Sequence, residues 1–187
     1  IRDRVGPYPI NMVGPKCSPI GMNCLGDTQD ASYQYSLPLP VGNQIVYAVV
    51  GTLGTQTGNA TYVGLGLNST PRLLGFDNRA DEDLLNSASS YADSVNNTEK
   101  FFVYYFTRQC SDLDQLTDGY CRELSDDDLP LCPDPTDPAC YKLTLSIRDY
   151  MPQGSQRGPD DNYILPAWVI PLYRPSGIEI NLPLVVH

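Results

Sequence analysis

Short runs of β-branched and aromatic residues, each ended by proline or glycine, are the feature that most constrains how this chain can fold. The clearest are 44–50 and 100–107, which are continuous apolar runs, and 141–147, where apolar and polar residues alternate. Such runs are typical of strands, because the side chains of a strand alternate between its two faces. The 17 prolines and 15 glycines favour turns between these strands over long helices.

Weaker patterns add further strands. In 31–39, tyrosine and leucine alternate with polar residues and proline, which predicts a half-buried strand whose tyrosines and leucines face the core. Residues 60–67, 163–173 and 178–184 predict three more strands. Tyr104 and Tyr105 point to opposite faces of their strand, so we expect one of them to lie outside. Seven or more strands separated by turns predict an antiparallel β-sandwich, either a jelly roll or an immunoglobulin-like fold.

Only residues 81–95 have a helical pattern, with an apolar face and an acidic residue at the start as a cap. The residues of that face are Leu84, Leu85, Ala88 and Tyr91.

The strand patterns begin at residue 31, so we predict a single domain over 31–187 and an extended, proline-rich arm over 1–30. Residues 111–140 hold nine acidic residues against one base, Arg122, a balance of −8 out of the net charge of −10. We therefore predict an acidic, cysteine-containing insertion at about 110–140, stapled by disulfides.

Six cysteines and three N-glycosylation sequons indicate an extracellular, oxidising compartment. The sequons begin at Asn59, Asn68 and Asn96. The simplest disulfide pairing joins sequence neighbours, although the sequence does not choose among the possible connectivities. That pairing is Cys17–Cys24, Cys110–Cys121 and Cys132–Cys140. Cysteine-bound zinc is the alternative, but no Cys-x-x-Cys pair is present. We expect a mature, secreted and glycosylated chain.

The charge of the chain and its single histidine exclude several classes of function. A net charge of −10 argues against binding to nucleic acid or to an anionic membrane surface. The one histidine is His187, which rules out Ser-His-Asp and Cys-His catalysis and His-rich zinc sites. We therefore predict no catalytic residue, no enzyme activity and no cofactor other than N-linked glycans. Acidic loops leave two alternatives, a weak calcium site and a hydrolase that uses loop carboxylates.

Residues 62–69 (Tyr-Val-Gly-Leu-Gly-Leu-Asn-Ser), followed by Gly-Phe-Asp at 75–77, resemble the central signature of DOMON domains. Phe-Thr-Arg at 106–108 is similar to that family's later Phe-x-Arg element. The resemblance covers about residues 60–108. It implies an extracellular β-sandwich that binds haem or sugars. The haem-binding members use Met and His as axial ligands, and here the histidine is terminal and the methionines lie in predicted loops, so haem is not expected.

Both ends of the chain have apolar, extended patterns, at 5–13 and 178–186. An unpaired strand needs a partner edge, and a terminal strand that completes the next copy links subunits into a polymer. We therefore predict a secreted structural subunit of a filament or coat that binds other copies of itself, with residues 1–30 as the preferred donor. Two alternatives stay open. Both ends could be edge strands of a monomer, or the chain could be a carbohydrate-recognition module, as the DOMON resemblance implies.

Overall fold

The computed structural model describes residues 31–70, 74–131, 140–152, 165 and 167–174. These residues form eight strands and several single helical turns. The strands are β1 (Ala31–Tyr35), β2 (Ile45–Thr52), β3 (Val63–Thr70), β4 (Leu74–Ala80), β5 (Phe101–Thr107), β6 (Cys121–Glu123), β7 (Lys142–Tyr150) and β8 (Trp168–Tyr173). The α-helical turns are α1 (Gly54–Thr57), α2 (Asp81–Leu84) and α3 (Asp114–Thr117), and 3₁₀ turns span Ser89–Tyr91, Thr98–Lys100 and Ser111–Leu113.

The strands form two four-stranded sheets. The front sheet has the order β1-β7-β3-β4, and the back sheet has the order β6-β5-β2-β8. All pairings are antiparallel except β5–β6, which is parallel. This arrangement confirms the predicted all-β sandwich, while the choice between a jelly roll and an immunoglobulin-like fold stays a prediction. Among the described residues, no helix has the length and apolar character needed to cross a membrane.

The main core lies between the sheets and is built from alternate residues of each strand, as a period of two requires. The largest contributions come from the central strands β3, β5 and β7. Their fully or almost fully buried side chains are Val63, Leu65, Leu67, Phe102, Tyr104, Phe106, Leu143, Leu145 and Ile147. Burial of one such side chain contributes about 1.5–3 kcal/mol.

A second, smaller core covers the outer face of the back sheet. Val46, Ala48 and Tyr105 pack there against Ala88 and Leu113, which come from the segments after β4 and β5. The Tyr105 and Tyr91 hydroxyls also share a hydrogen bond. The expectation that Tyr104 or Tyr105 would lie outside is therefore wrong, because both faces of β5 are covered and both tyrosines are buried.

Residues 34–37 have the opposite orientation to the one predicted, whereas Leu39 is buried in the main core, as predicted. Gln34 and Ser36 are buried, with 4% and 7% of their surface exposed, whereas Leu37 is 65% exposed. The buried polar groups have distant partners. Gln34 Oε1 accepts a hydrogen bond from the Ala167 N–H at 2.7 Å, and Ser36 Oγ accepts one from the Leu145 N–H at 2.8 Å. A buried polar side chain with such a partner loses little on leaving water.

The predicted helix over 81–95 is also wrong. Only α2 and the 3₁₀ turn Ser89–Tyr91 are helical, because Asn86 between them has φ +63°, in the left-handed region. The Ser87 hydroxyl donates to the Leu84 carbonyl at 2.6 Å and accepts from the Val103 N–H at 3.1 Å, which ties this break to β5. Leu84 and Ala88 are nevertheless buried, as their apolar pattern indicated.

The predicted arm over 1–30 and the predicted strand over 178–184 lie outside the described residues, so the division of the chain into an arm and a domain stays a prediction.

We predict that Gly51→Ala destabilises the sandwich. A Cβ at Gly51 would lie 2.4 Å from Cζ of Phe102, the cross-strand neighbour whose ring is fully buried, so the ring would have to shift within the core. We expect the free energy of unfolding, measured by urea denaturation, to fall by about 1–3 kcal/mol. Gly42→Ala is the control, because nothing lies within 4 Å of a Cβ there. Equal stability of the two variants would contradict the packing described.

Candidate functional site: the two sides of the sandwich

The edge strands of the two sheets meet in pairs and give the sandwich two different sides. Arg122 of β6 contacts Asp77 of β4, so these two edge strands share one side, which we call the ion-pair side. The other edge strands, β1 and β8, share the opposite side, where Gln34 bonds to Ala167. We call this the terminal side, because residues 1–30 precede β1 and residues 175–187 follow β8.

On the ion-pair side, charged residues point inward between the sheets. Asp77 pairs in register with the buried Leu67, and Arg122 pairs in register with the buried Phe106. Arg122 Nε donates to Asp77 Oδ2 at 2.5 Å, and its Nη2 donates to Asp128 Oδ2 at 3.0 Å. Burial raises the pKa of Asp77, but hydrogen bonds from Arg122, the Asn78 N–H and Arg79 outweigh it and hold that pKa below its ordinary value. Arg122 therefore ties the two sheets together.

Arg108 and a disulfide anchor the segment that follows β6. The Arg108 guanidinium donates to the carbonyls of Leu124 at 3.2 Å, Ser125 at 2.9 Å and Leu129. The Cys110–Cys121 disulfide joins the end of β5 to β6 and confirms one predicted pair. Cys140 is also disulfide-bonded, while Cys17, Cys24 and Cys132 lie outside the described residues. Asp77 and Arg108, both part of the DOMON-like pattern, thus hold this segment on the sandwich.

On the terminal side, two hydrogen bonds define the relative direction of β1 and β8. Gln34 in β1 is next to Ala167, just before β8. Farther along, the Tyr47 hydroxyl donates to the Pro40 carbonyl at 2.7 Å, and Tyr47 pairs with Pro171 in β8. The chain therefore passes from 34 to 40 in the same direction as it passes from 167 to 171. It follows that residues 1–30 join the sandwich at one end and residues 175–187 join it at the other.

The terminal side also carries exposed apolar residues. Leu37 continues β1, Leu165 comes two residues before Ala167, and Tyr173 ends β8 with 57% of its surface exposed. Leu165 and Tyr173 lie near the two ends of β8, so the exposed apolar residues are spread along the terminal side.

The three sequon asparagines differ in accessibility. Asn96 is exposed in the loop between two 3₁₀ turns, and Asn59 is half-buried in the turn after α1. Asn68 lies within β3, where its Nδ2 donates to the Thr144 carbonyl at 3.3 Å and to Ser146 Oγ at 3.2 Å. A glycan on Asn68 would replace these contacts. Glycosylation would therefore disturb the structure least at Asn96. Whether any of the three is glycosylated stays a prediction.

Tyrosine, arginine and asparagine form a cluster on the outer face of the front sheet. The Tyr62 ring lies over Gly64, where a Cβ would come within 2.9 Å of it. The Tyr150 ring packs edge-on against Tyr62 at 5.7 Å between centroids, and the Arg148 guanidinium lies 4.0 Å from the Tyr150 centroid. Asn78 Nδ2 donates to the Tyr62 hydroxyl at 3.1 Å. This tyrosine cluster, which includes the start of the DOMON-like pattern, combines ring surface with hydrogen-bonding groups.

A buried pair of acids, which the sequence analysis did not identify as a pair, lies near α1. Asp149 is 4% exposed on the inward face of β7, next to Gly54. It pairs in register with Val63, whose N–H donates to Asp81 Oδ1 at 2.9 Å. Burial, with the nearby Asp81 charge, raises the pKa of Asp149 to about 7. Alternate residues of a strand face the same side, so Asp149, two residues after inward-facing Ile147, also faces inward. This alternation is the sequence signal that could have revealed the buried acid.

Within the described part of the chain, no group of three or more His, Cys, Asp and Glu side chains is placed to hold a metal ion. The alternative of a weak calcium site involves Asp112, Asp114 and Asp118, and it is not tested, because the side chains of Asp112 and Asp114 are not described. The loop acids that a hydrolase could use are the adjacent acids at 81–83 and 126–128. Of these, Asp128 and Asp81 have the hydrogen bonds given above, and Asp126 pairs with Arg108 at 3.3 Å. These contacts give each of the three a structural role.

No family model, curated protein or solved structure matches this chain.

We predict that Asp149 makes the protein less stable as the pH rises. The folded-state pKa of Asp149, about 7, lies above the unfolded value of about 4. The contribution of Asp149 to the unfolding free energy is therefore full below pH 4, where the carboxyl is protonated in both states, and it is lost as the pH rises through 7. The unfolding free energy should fall by about 2–3 kcal/mol between pH 5 and pH 8. In Asp149→Asn that fall should be absent, as measured by urea denaturation at both pH values.

Asp93→Asn, which removes one exposed negative charge, is the control for the change in net charge and should retain the pH dependence. An unchanged pH dependence in Asp149→Asn would show that another group causes it.

Proposed function

We propose that this protein is a secreted, N-glycosylated structural subunit that assembles with copies of itself into an extracellular filament or coat. In this proposal a terminal strand of one copy completes the sandwich of the next. The arrangement of β1 and β8 carries the proposal: they are edge strands on one side of the sandwich and run in the same direction.

The direction of these strands suits a head-to-tail contact. Because residues 1–30 and 175–187 join opposite ends of the terminal side, a segment that leaves one copy can reach the same side of a second copy placed end to end. A head-to-tail contact places each copy in the same relation to the one before it. Unless the rotation between copies closes a ring, the contact repeats and generates a filament. Exposed Leu37 and Tyr173 on that side provide apolar surface for the neighbour to cover.

The ion-pair side suits a different role in such a subunit. Arg122 and Arg108 secure the segment over β4 and β6, and the Cys110–Cys121 disulfide closes the loop between β5 and β6. Inward-pointing charges are one way in which proteins prevent unwanted strand pairing. We therefore propose that assembly uses the terminal side alone.

A carbohydrate-recognition module is the second candidate. The tyrosine cluster favours it, because Tyr62 and Tyr150 offer ring surface beside the polar groups of Arg148 and Asn78. Sugars are bound by such combinations of ring surface and hydrogen-bonding groups. Here the cluster also has a structural explanation, since Tyr62 packs on Gly64 and Arg148 on Tyr150. We therefore rank recognition second.

Electron microscopy of the native protein, with light-scattering mass of the same sample, tests the proposal. We expect regular filaments or sheets and a mass many times that of the 20.6 kDa chain. A uniform monomer of 20.6 kDa plus glycan would contradict self-assembly and favour the recognition module, which glycan-array binding would then examine.

A further inference from the structure

We infer that the acceptor for strand donation is the outer edge of β8, and that its occupant is residues 178–184 of a second copy of this chain. This inference rests on the proposed function and adds to it the acceptor edge, the donor segment and the direction of the donated strand.

Backbone geometry identifies the acceptor edge. The Arg174 N–H donates to the Gln44 carbonyl at 2.9 Å, which places Arg174 and every second residue before it in hydrogen bonds with β2. The backbone groups of Val169, Pro171 and Tyr173 therefore point away from β2. Within the described ranges, no strand pairs with this edge. Pro171 occupies one of these positions, where proline is tolerated because its missing N–H would point out of the sheet.

The sequence of 178–184 fits an added strand. Apolar residues at 178, 180, 182 and 184 alternate with Glu179, Asn181 and Pro183, so one face of the strand can meet the core and the other can meet water. At about 3.3 Å per residue, its seven residues span about 23 Å, which matches the length of about 20 Å for the six residues of β8. Prolines also reduce the number of amide donors a strand can offer to the edge: the competing segment 5–13 has two, at 7 and 9, whereas 178–184 has one, Pro183.

The exit of the chain from β8 favours a second copy over a fold back onto the same edge. Arg174 pairs with Gln44, one residue beyond the start of β2, and its guanidinium donates to the Gln109 carbonyl. A residue before proline is restricted to extended backbone, so Arg174 before Pro175 keeps the extended direction of β8 as far as the last described residue. In a head-to-tail contact, this segment reaches the Ala167 end of the next copy and runs parallel to its β8.

Photo-cross-linking between isotope-labelled copies tests the inference. The full chain carries the substitution Tyr173→p-benzoylphenylalanine, and ¹⁵N-labelled and unlabelled preparations are mixed in dissociated form, assembled, imaged by electron microscopy and irradiated. We expect cross-links from position 173 to residues 178–184, with labelled and unlabelled peptides joined in the proportion that random mixing gives. Leu74→p-benzoylphenylalanine is the matched control, because Leu74 is 58% exposed but lies on β4, at the ion-pair side. It should not capture 178–184.

Each other outcome has a distinct meaning. If cross-links to 178–184 join only peptides of the same label, the segment folds back on its own β8 and the inference is wrong. If filaments form but position 173 captures residues 1–30 of another copy, the arm is the donor, which overturns the inference and preserves the proposed function. If the wild-type chain forms no filaments, the proposed function fails together with the inference. Filaments formed by the substituted chain would show that the substitution has not itself blocked folding. Leu37→p-benzoylphenylalanine is a second probe on the same side and serves the same purpose.

Discussion

The contact of Arg122 with Asp77 and Asp128 is the interaction on which the arrangement of this sandwich most depends. It links the edge strands of the two sheets, and it holds the segment after β6 against them. Asp77 and Arg122 point inward beside buried Leu67 and Phe106, where a charge is stabilised by a partner of opposite sign, and the hydrogen bond from Arg122 helps to hold the pKa of Asp77 below its ordinary value. Loss of Arg122 would leave Asp77 with Arg79 alone and Asp128 without its cation.

Because the ion-pair side is secured in this way, we propose that the terminal side is the one that contacts other copies of the chain. There a neutral hydrogen bond from Ala167 to Gln34 connects the sheets, and the strands beside it lead into residues 1–30 and 175–187. The physical contrast is between β4 and β6, which inward-pointing charges tie together, and β1 and β8, which lead into residues 1–30 and 175–187. Exposed apolar residues occur on both sides, among them Leu74 of β4 and Tyr173 of β8. The proposal of a self-assembling subunit follows from this contrast.

The strands with strong local patterns could be predicted from the sequence, and those held by distant partners could not. β2, β5 and β7 were predicted because their apolar runs are intrinsic to the segments, as was the Cys110–Cys121 disulfide between sequence neighbours. β4 was missed because inward-facing Asp77 and Arg79 break the apolar pattern of a strand. They pair with each other, and Arg122 and Tyr104, which lie farther along the chain, complete their surroundings. The same reason explains the reversed face of β1, where Gln34 depends on Ala167.

Amide hydrogen exchange of assembled and dissociated protein tests the central claim most directly. If assembly uses the terminal side, the amides of Val169 and Tyr173, which point away from β2, should exchange much more slowly in the assembled form. The amides of β4 and β6 should exchange at the same rate in both forms. Slower exchange confined to β4 and β6, or no change at Val169 and Tyr173, would contradict the claim that copies meet along β8.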